Sequence, residues 1–251
     1  MNTILKFKQT DNQKIYWISD THLNHNKDFV YAARGHSSSR EHTDFIINKI
    51  NEFVRPNDIL FHAGDFCLNT DESGLNELLA RIQCQNIYLL WGNHPNPLWK
   101  IYKKEISQWL QYNLVGHNSG GTTHIDDIKP EIYPNWPQHN DAGYNSGGTI
   151  HVNDIEPEIY PFRYKNIVFI GDYAEVTVDG RYFVLSHYPL HSWNSMKNGS
   201  IHLFGHLHCS NSPDNGKRMD IGWDKIQRPY STEEIIEIMN KKPVVSDGGH
   251  H

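Results

Sequence analysis

Six short apolar runs constrain this chain most: IYWIS (Ile15 to Ser19), ILFHAG (Ile59 to Gly64), IYLLWG (Ile87 to Gly92), IVFIG (Ile167 to Gly171), YFVLSH (Tyr182 to His187) and IHLFGH (Ile201 to His206). Most stop at a polar or glycine residue. Runs of this length bounded by turn residues suit strands covered on both faces, although a short run by itself does not exclude buried helix. Helical patterns fall between the early runs. From Glu41 to Val54, the residues Phe45, Ile46, Lys49, Ile50, Phe53 and Val54 share one face, with Lys49 its one polar member. From Glu72 to Ile82, Leu75, Leu78, Leu79 and Ile82 keep the i, i+3, i+4, i+7 spacing of a helix. Leu98 to Tyr112 is a third helical candidate, and Ser231 with Glu234 reads as a capping box opening a last helix that ends near Asn240. Strand, helix, strand, helix, strand predicts an α/β protein, and 251 residues make one large domain or two small ones.

Charge and cysteine usage narrow the function classes. Twenty-three basic against 29 acidic residues give a formal charge of -6, the wrong sign for holding long nucleic acid without a segregated basic face, and no run of lysines or arginines supplies one. Cys67, Cys84 and Cys209 form an odd set without C-x-x-C spacing, which argues against a disulfide framework or a thiolate zinc site and for a reducing cytoplasm. The opening MNTILKFKQTDNQ lacks the apolar core and cleavage site of a secretory signal, and no apolar stretch approaches the length of a membrane span. Residues 248–251 read as the remnant of a purification tag, so His250 and His251 are set aside from the 17 histidines.

Five motifs fall at or just after the ends of the apolar runs: Asp20-Thr21-His22, Gly64-Asp65, Gly92-Asn93-His94, His187, and Gly205-His206-Leu207-His208. In open α/β sheets the ligand crevice lies outside the carboxyl ends of the strands, so residues far apart in sequence converge there. On extended backbone, Asp-x-His and His-x-His each point both side chains to one face. A single histidine after an apolar run is more often a structural residue than a ligand. Two such pairs are hard to explain by packing alone.

The ordered set D-x-H, G-D, G-N-H, H, G-H-x-H resembles the calcineurin-like metallophosphoesterase superfamily, over most of the chain from Tyr16 to about Pro229. SDTHLNH, LSHYPL and DIGWD bring it closest to the small phage-type and bacterial phosphoesterases. The resemblance implies two mixed β-sheets packed as a sandwich flanked by α-helices, a four-layer αββα fold, as a single domain over residues 1–247. It implies that Asp20, His22 and His208 hold one metal ion, that Asn93, His187 and His206 hold a second, and that Asp65 bridges both as a carboxylate. His94 would face the substrate, stabilise phosphoryl oxygens and protonate the leaving alkoxide. His25 recurs in the phage-type subset as a substrate-binding candidate, and His62 is expected to be buried behind the site.

Hydrolysis of a phosphate ester needs a nucleophile at neutral pH and neutralisation of charge on the phosphoryl oxygens, and two cations about 3.5 to 4 Å apart supply both. Asp, His and Asn donors without thiolate suit two divalent transition-metal ions, Mn foremost, with Fe, Zn, Ni or Co as alternatives. The expected enzyme is a cytoplasmic phosphoesterase in which a hydroxide bridging the metals attacks phosphorus in line, without a covalent enzyme intermediate. Small phosphodiesters, nucleotides or short oligonucleotides are the expected substrates, with no membrane or long nucleic acid as partner; a phosphomonoesterase, a single-strand nuclease and a non-catalytic metal-containing binding module are the competing readings. The protein serine/threonine phosphatase branch carries G-D-x-x-D-R-G and G-N-H-E, where this chain has GDFCLNT and GNHPNP, which argues against protein phosphatase activity.

One segment interrupts the pattern. Gly116 to Pro134 and Gly143 to Pro161 share 14 of 19 positions at an offset of 27, a tandem duplication. Its Gly, Ser, Asn, Asp and Pro content reads as a duplicated surface insertion near the rim of the site, and the sharper alternative is a lid or binding arm.

Overall fold

A computed structural model describes residues 4–94, 98, 100, 101, 104, 162–208 and 210–245. The duplication, Cys209 and most of the helix expected from Leu98 to Tyr112 lie outside them, although residues 98, 100, 101 and 104 are helical.

Among the described residues, eleven strands form two mixed sheets. One has the order β11 (Tyr230–Ser231), β2 (Ile15–Ile18), β3 (Ile59–His62), β4 (Asn86–Leu89), β6 (Ile167–Phe169), β5 (Phe162–Tyr164). Its four central strands are parallel, with β11 and β5 antiparallel at the edges. The other has the order β1 (Leu5–Phe7), β7 (Tyr173–Val178), β8 (Arg181–Ser186), β9 (Ile201–Phe204), β10 (Arg218–Asp220), with β7 and β8 antiparallel and the remaining pairs parallel. All six apolar runs are therefore strands.

Period-two alternation explains why those runs are apolar throughout. Ile15, Trp17, Ile59, Phe61 and Val168 face the second sheet, where they meet Val176, Phe183, Leu185, Ile201 and Leu203. Ile18, Leu60, Ile87, Leu89, Ile167 and Phe169 face the other way, onto α2 (Ser39–Phe53) and α3 (Glu72–Arg81). Trp17 is stacked between Phe61 at 4.6 Å and Phe183 at 4.8 Å, joining the two sheets through one aromatic column. On the outer face of the second sheet, Val184 is covered by Trp193 and by Met196 of a short 3-10 turn.

The helices start where side chains satisfy their first N–H groups. Ser38 accepts from the Glu41 N–H, Asp71 from the Gly74 N–H, and Ser231 with Glu234 forms the expected reciprocal box on α4 (Thr232–Asn240). The buried face of α2 differs from the expected one. It consists of His42, Thr43, Ile46, Ile47 and Ile50, while Phe45, Lys49 and Phe53 sit at its margins. The helix turns two polar residues inward because both have partners there: His42 accepts from Arg34, and Thr43 Oγ1 accepts from the Asn24 N–H.

At one end of the sandwich the two sheets are stitched together. The Ser19 N–H donates to Ile221 O at 3.0 Å and the Trp223 N–H to Ser19 O at 2.9 Å, so the chain ends of β2 and β10 meet. The carboxyl ends of β3, β4, β8 and β9 open toward the same end. Among the described residues, no helix is long and apolar enough to cross a membrane.

Candidate metal centre

Each motif follows a strand but is not part of it. β2 stops at Ile18 and β9 at Phe204, and Asp20, His22, Asp65, His206 and His208 have φ of 57°, 48°, 55°, 70° and 47°. These are left-handed conformations, uncommon for residues other than glycine and costing of order 1 kcal/mol or more each. The alternation expected to align Asp20 with His22, and His206 with His208, is therefore not what brings them together. Kinked loops held by backbone hydrogen bonds do so: the Asp20 N–H donates to Gly64 O at 3.1 Å and the His22 N–H to Asp65 O at 2.9 Å.

Glycines make room for the carboxylates. A Cβ on Gly92 would lie 1.9 Å from Asp65 Oδ1, and one on Gly205 would lie 2.1 Å from Asp20 Oδ2. The same carboxylates accept backbone N–H groups. Asp65 Oδ1 takes that of His94 at 3.1 Å, and Asp20 takes that of His206 at 3.2 Å on Oδ1 and 3.0 Å on Oδ2.

The side chains of all five motifs converge. His22 Nε2 lies 3.3 Å from His208 Nε2 and 3.9 Å from Asp20 Oδ1, which is 4.0 Å from His208 Nε2. Ligand atoms held about 2.1 Å from one ion are separated by roughly 3 to 4.2 Å, so this trio matches a shared cation. Asp65 Oδ2 lies 3.4 Å from His187 Nε2 and 3.8 Å from the Nε2 atoms of both His22 and His94. On the far side, Asn93 Oδ1 is 2.6 Å from His187 Nε2 and 3.0 Å from His206 Nδ1. His187 Nδ1–H donates to Ala63 O at 2.9 Å, so Nε2 faces the acceptors Asp65 and Asn93 either as a second N–H, in the charged form those acceptors favour, or as a lone pair shared with a cation. A place where only acceptors meet calls for a proton or a cation. The groups Asp20/His22/His208, His22/Asp65/His94 and Asp20/Asp65/His187 are each close enough to hold a metal ion. Asp65 and Asp20 are nearly inaccessible, whereas the His94 side chain is 42% exposed and faces incoming solute.

Burial sets the electrostatics of the site. It pushes the Asp20 carboxyl up to about 6 and the His22 imidazole down to about 2. Burial also opposes ionisation of Asp65, but hydrogen bonding and charge from His187, with the His94 N–H, outweigh it and bring Asp65 to about 2. A neutral His22 keeps its lone pair, and a cation would restore Asp20 to its ionised form.

Support for this cluster comes from residues without a motif. The Arg34 side chain is 4% exposed and uses all five N–H donors: Nε and NH2 clamp Asp224 at 2.7 and 2.9 Å, NH2 and NH1 reach the carbonyls of Asp20 at 2.8 Å and Thr21 at 3.1 Å, and NH1 donates to His42 Nε2 at 3.0 Å. Asp224 in turn accepts from His208 Nδ1 at 2.7 Å, which turns His208 Nε2 toward His22. Burial of Asp224 disfavours its charge, yet His208 and Arg34 hold the carboxyl well below its ordinary range. His62 is buried as expected; its Nε2–H donates to Thr21 Oγ1 at 2.9 Å, which donates to Phe66 O. His25 is 6% exposed and edge-on to His22, with ring centroids 5.7 Å apart. DIGWD was legible as a resemblance, but nothing in the spacing of Arg34 and Asp224, 190 residues apart, announced their pairing.

The calcineurin-like phosphoesterase family model matches residues 13–210. The chain belongs to the calcineurin-like phosphoesterase family. Within the chain, 82 residues are 34% identical to the uncharacterized protein MJ1445 of Methanocaldococcus jannaschii, a match covering 33% of this chain and about half (47%) of that protein. The crystal structure of AQ665, a protein of unknown function from Aquifex aeolicus, superposes with a TM-score of 0.53 at 17% identity, covering 90% of this chain and all of that chain. That similarity is one of fold. Family membership and Asp/His clusters close enough to hold a metal ion both support a metal-dependent phosphoesterase.

Proposed function

We propose that this phosphoesterase is a dimetal phosphodiesterase of the small phage-type kind, acting on small phosphodiesters, nucleotides or short oligonucleotides. In this reading Asp20, His22 and His208 hold one divalent ion, Asn93, His187 and His206 hold the other, and Asp65 contributes to both. The observation that carries it is the position of Asp65 Oδ2, within 3.4 to 3.8 Å of His187, His22 and His94 at once. When bound, the two ions supply a hydroxide nucleophile at neutral pH and charge neutralisation at the phosphoryl group. His94 Nε2–H, exposed above Asp65, binds a phosphoryl oxygen and hands its proton to the leaving alkoxide. The loop backbone fixes the donors beforehand, so little rearrangement accompanies substrate binding.

Two features favour a diester. Every N–H of Arg34, the guanidinium packed against the cluster, is already engaged, leaving it no donor for the second charge of a monoester. The chain carries a formal -6, which disfavours the more highly charged substrate. Buried thiols at Cys67 and Cys84 suit a reducing compartment.

The test is hydrolysis of bis(p-nitrophenyl) phosphate and p-nitrophenyl phosphate with added Mn, in wild type and His94→Gln. The diester should be preferred, and His94→Gln should lower kcat by about 100-fold or more with metal content unchanged. A wild type that turns over neither ester with Mn, Ni, Co or Zn, or no faster than His94→Gln, defeats the enzyme reading in favour of a metal-containing binding module.

A further inference from the structure

Four large hydrophobic side chains are more than one-third exposed among the described residues: Ile4, Phe29, Tyr188 and Val244. The two aromatic ones both touch the histidine cluster. Phe29, 70% exposed on the short helix α1 (Asp28–Tyr31), stands edge-on to His25 at 5.7 Å, and His25 stands edge-on to His22. Tyr188, 49% exposed and directly after His187, lies 4.5 Å from the His206 ring and 5.3 Å from that of His187. One exposed aromatic thus flanks the Asp20/His22/His208 donors and the other flanks the Asn93/His187/His206 donors.

Isolated exposed apolar residues need no explanation, but a pair placed on either flank of one polar cluster does. Each ring is anchored on one side by a histidine and open on the other. An incoming planar group can therefore stack on it without first displacing protein. Phosphorus in a diester carries two organic groups, and the site offers two platforms.

We infer that Phe29 and Tyr188 are substrate-stacking residues, each receiving one aromatic substituent of the phosphodiester, so that the substrate class is diesters of nucleosides or of other aromatic alcohols. This rests on the phosphodiesterase reading above. One platform holds the departing alcohol and the other the group retained on phosphorus. A methyl ester in place of the retained aryl group would engage only the first.

The inference is tested with Mn-loaded wild type, Phe29→Ala and Tyr188→Ala on bis(p-nitrophenyl) phosphate and methyl p-nitrophenyl phosphate, which share a leaving group. Metal content is measured in parallel. Each variant should raise KM for the diaryl ester about five- to tenfold, the lower range for an aromatic stack. One variant should do the same for the methyl ester and the other should leave it unchanged, while metal content stays at the wild-type level. Phe29→Trp should restore the KM lost in Phe29→Ala. Unchanged KM for both esters in both variants overturns the inference, as does an equal loss on both esters in both variants. Binding of AMP and ribose 5-phosphate by calorimetry separates this from the parent reading. If wild type hydrolyses neither ester, the phosphodiesterase reading fails, and stacking then stands only if AMP binds several-fold tighter than ribose 5-phosphate and loses that margin in the alanine variants.

Discussion

Replacing Arg34 with Met should weaken both the fold and the metal site, by separable amounts. Arg34 makes five hydrogen bonds and its side chain is 4% exposed. Methionine keeps much of the side-chain volume but leaves the carbonyls of Asp20 and Thr21 without this donor and Asp224 with only His208 among the bonds described. Breaking a buried ion pair costs about 3 to 5 kcal/mol. Asp224 retains 24% exposure, so water recovers part of its solvation and the expected loss is about 3 kcal/mol. For a chain of this size that lowers Tm by roughly 6 to 12 °C. The second effect follows from geometry: Asp224, no longer clamped by Arg34, holds His208 Nδ1 less firmly, and the Asp20 to His22 loop loses its brace, so metal affinity should fall about 10- to 100-fold. Chemical denaturation of the metal-free protein measures the first effect, and chelator competition measures the second. Arg34→Lys restores charge but not the planar fork, and should recover stability more than metal affinity. Metal affinity within twofold of wild type in Arg34→Met, together with a stability loss under about 1 kcal/mol, would refute the proposed support of the site by this network.

Other outcomes follow from single contacts. Gly92→Ala places a methyl 1.9 Å from Asp65 Oδ1, so it should abolish metal binding by isothermal titration, and unaltered binding would show that Asp65 is not held where the glycine demands. Phe183→Ala removes one face of the Trp17 column between the sheets and should cost about 3 to 5 kcal/mol in urea denaturation; a loss below about 1 kcal/mol would contradict that column. His202 is fully buried, donates from Nδ1 to Val184 O and accepts the Leu190 N–H, and burial lowers it to about 4. The unfolded chain takes up that proton first, so its contribution is complete above about pH 6.5 and is lost as pH falls toward 4, at up to about 1.4 kcal/mol per pH unit. Asp20, raised to about 6, works in the opposite sense in metal-free protein, so the comparison is between wild type and His202→Gln, whose stability should depend less on pH between 6.5 and 4.5. Parallel pH profiles would count against a neutral buried His202.

The sandwich was legible where strands are apolar on both faces. From Ile15 to Ile18, neighbours of either parity are covered by protein, so the whole run is apolar and stands out without any alternation, and the Ser231/Glu234 box marked the last helix. β1, β5, β10 and β11 have two or three residues each, too few for any period to show. The convergence of Asp, Asn and His side chains was legible as an ordered set of motifs, but its construction was not. Left-handed loops at Asp20 and His206 replace the extended geometry that the Asp-x-His and His-x-His spacing suggests. Such conformations are imposed by distant partners such as Gly64, Asp65 and Arg34, which no local window contains. For the same reason burial and hydrogen bonding, rather than metal, account for His42, His62 and His202.

The most direct test of a dinuclear phosphodiesterase is a titration of metal-free protein with Mn while hydrolysis of bis(p-nitrophenyl) phosphate is followed. Activity should be absent in chelator and rise to a plateau at two equivalents of metal, and Asp65→Asn should bind fewer than two and remain inactive. A plateau at one equivalent, or equal hydrolysis in chelator, would contradict the account.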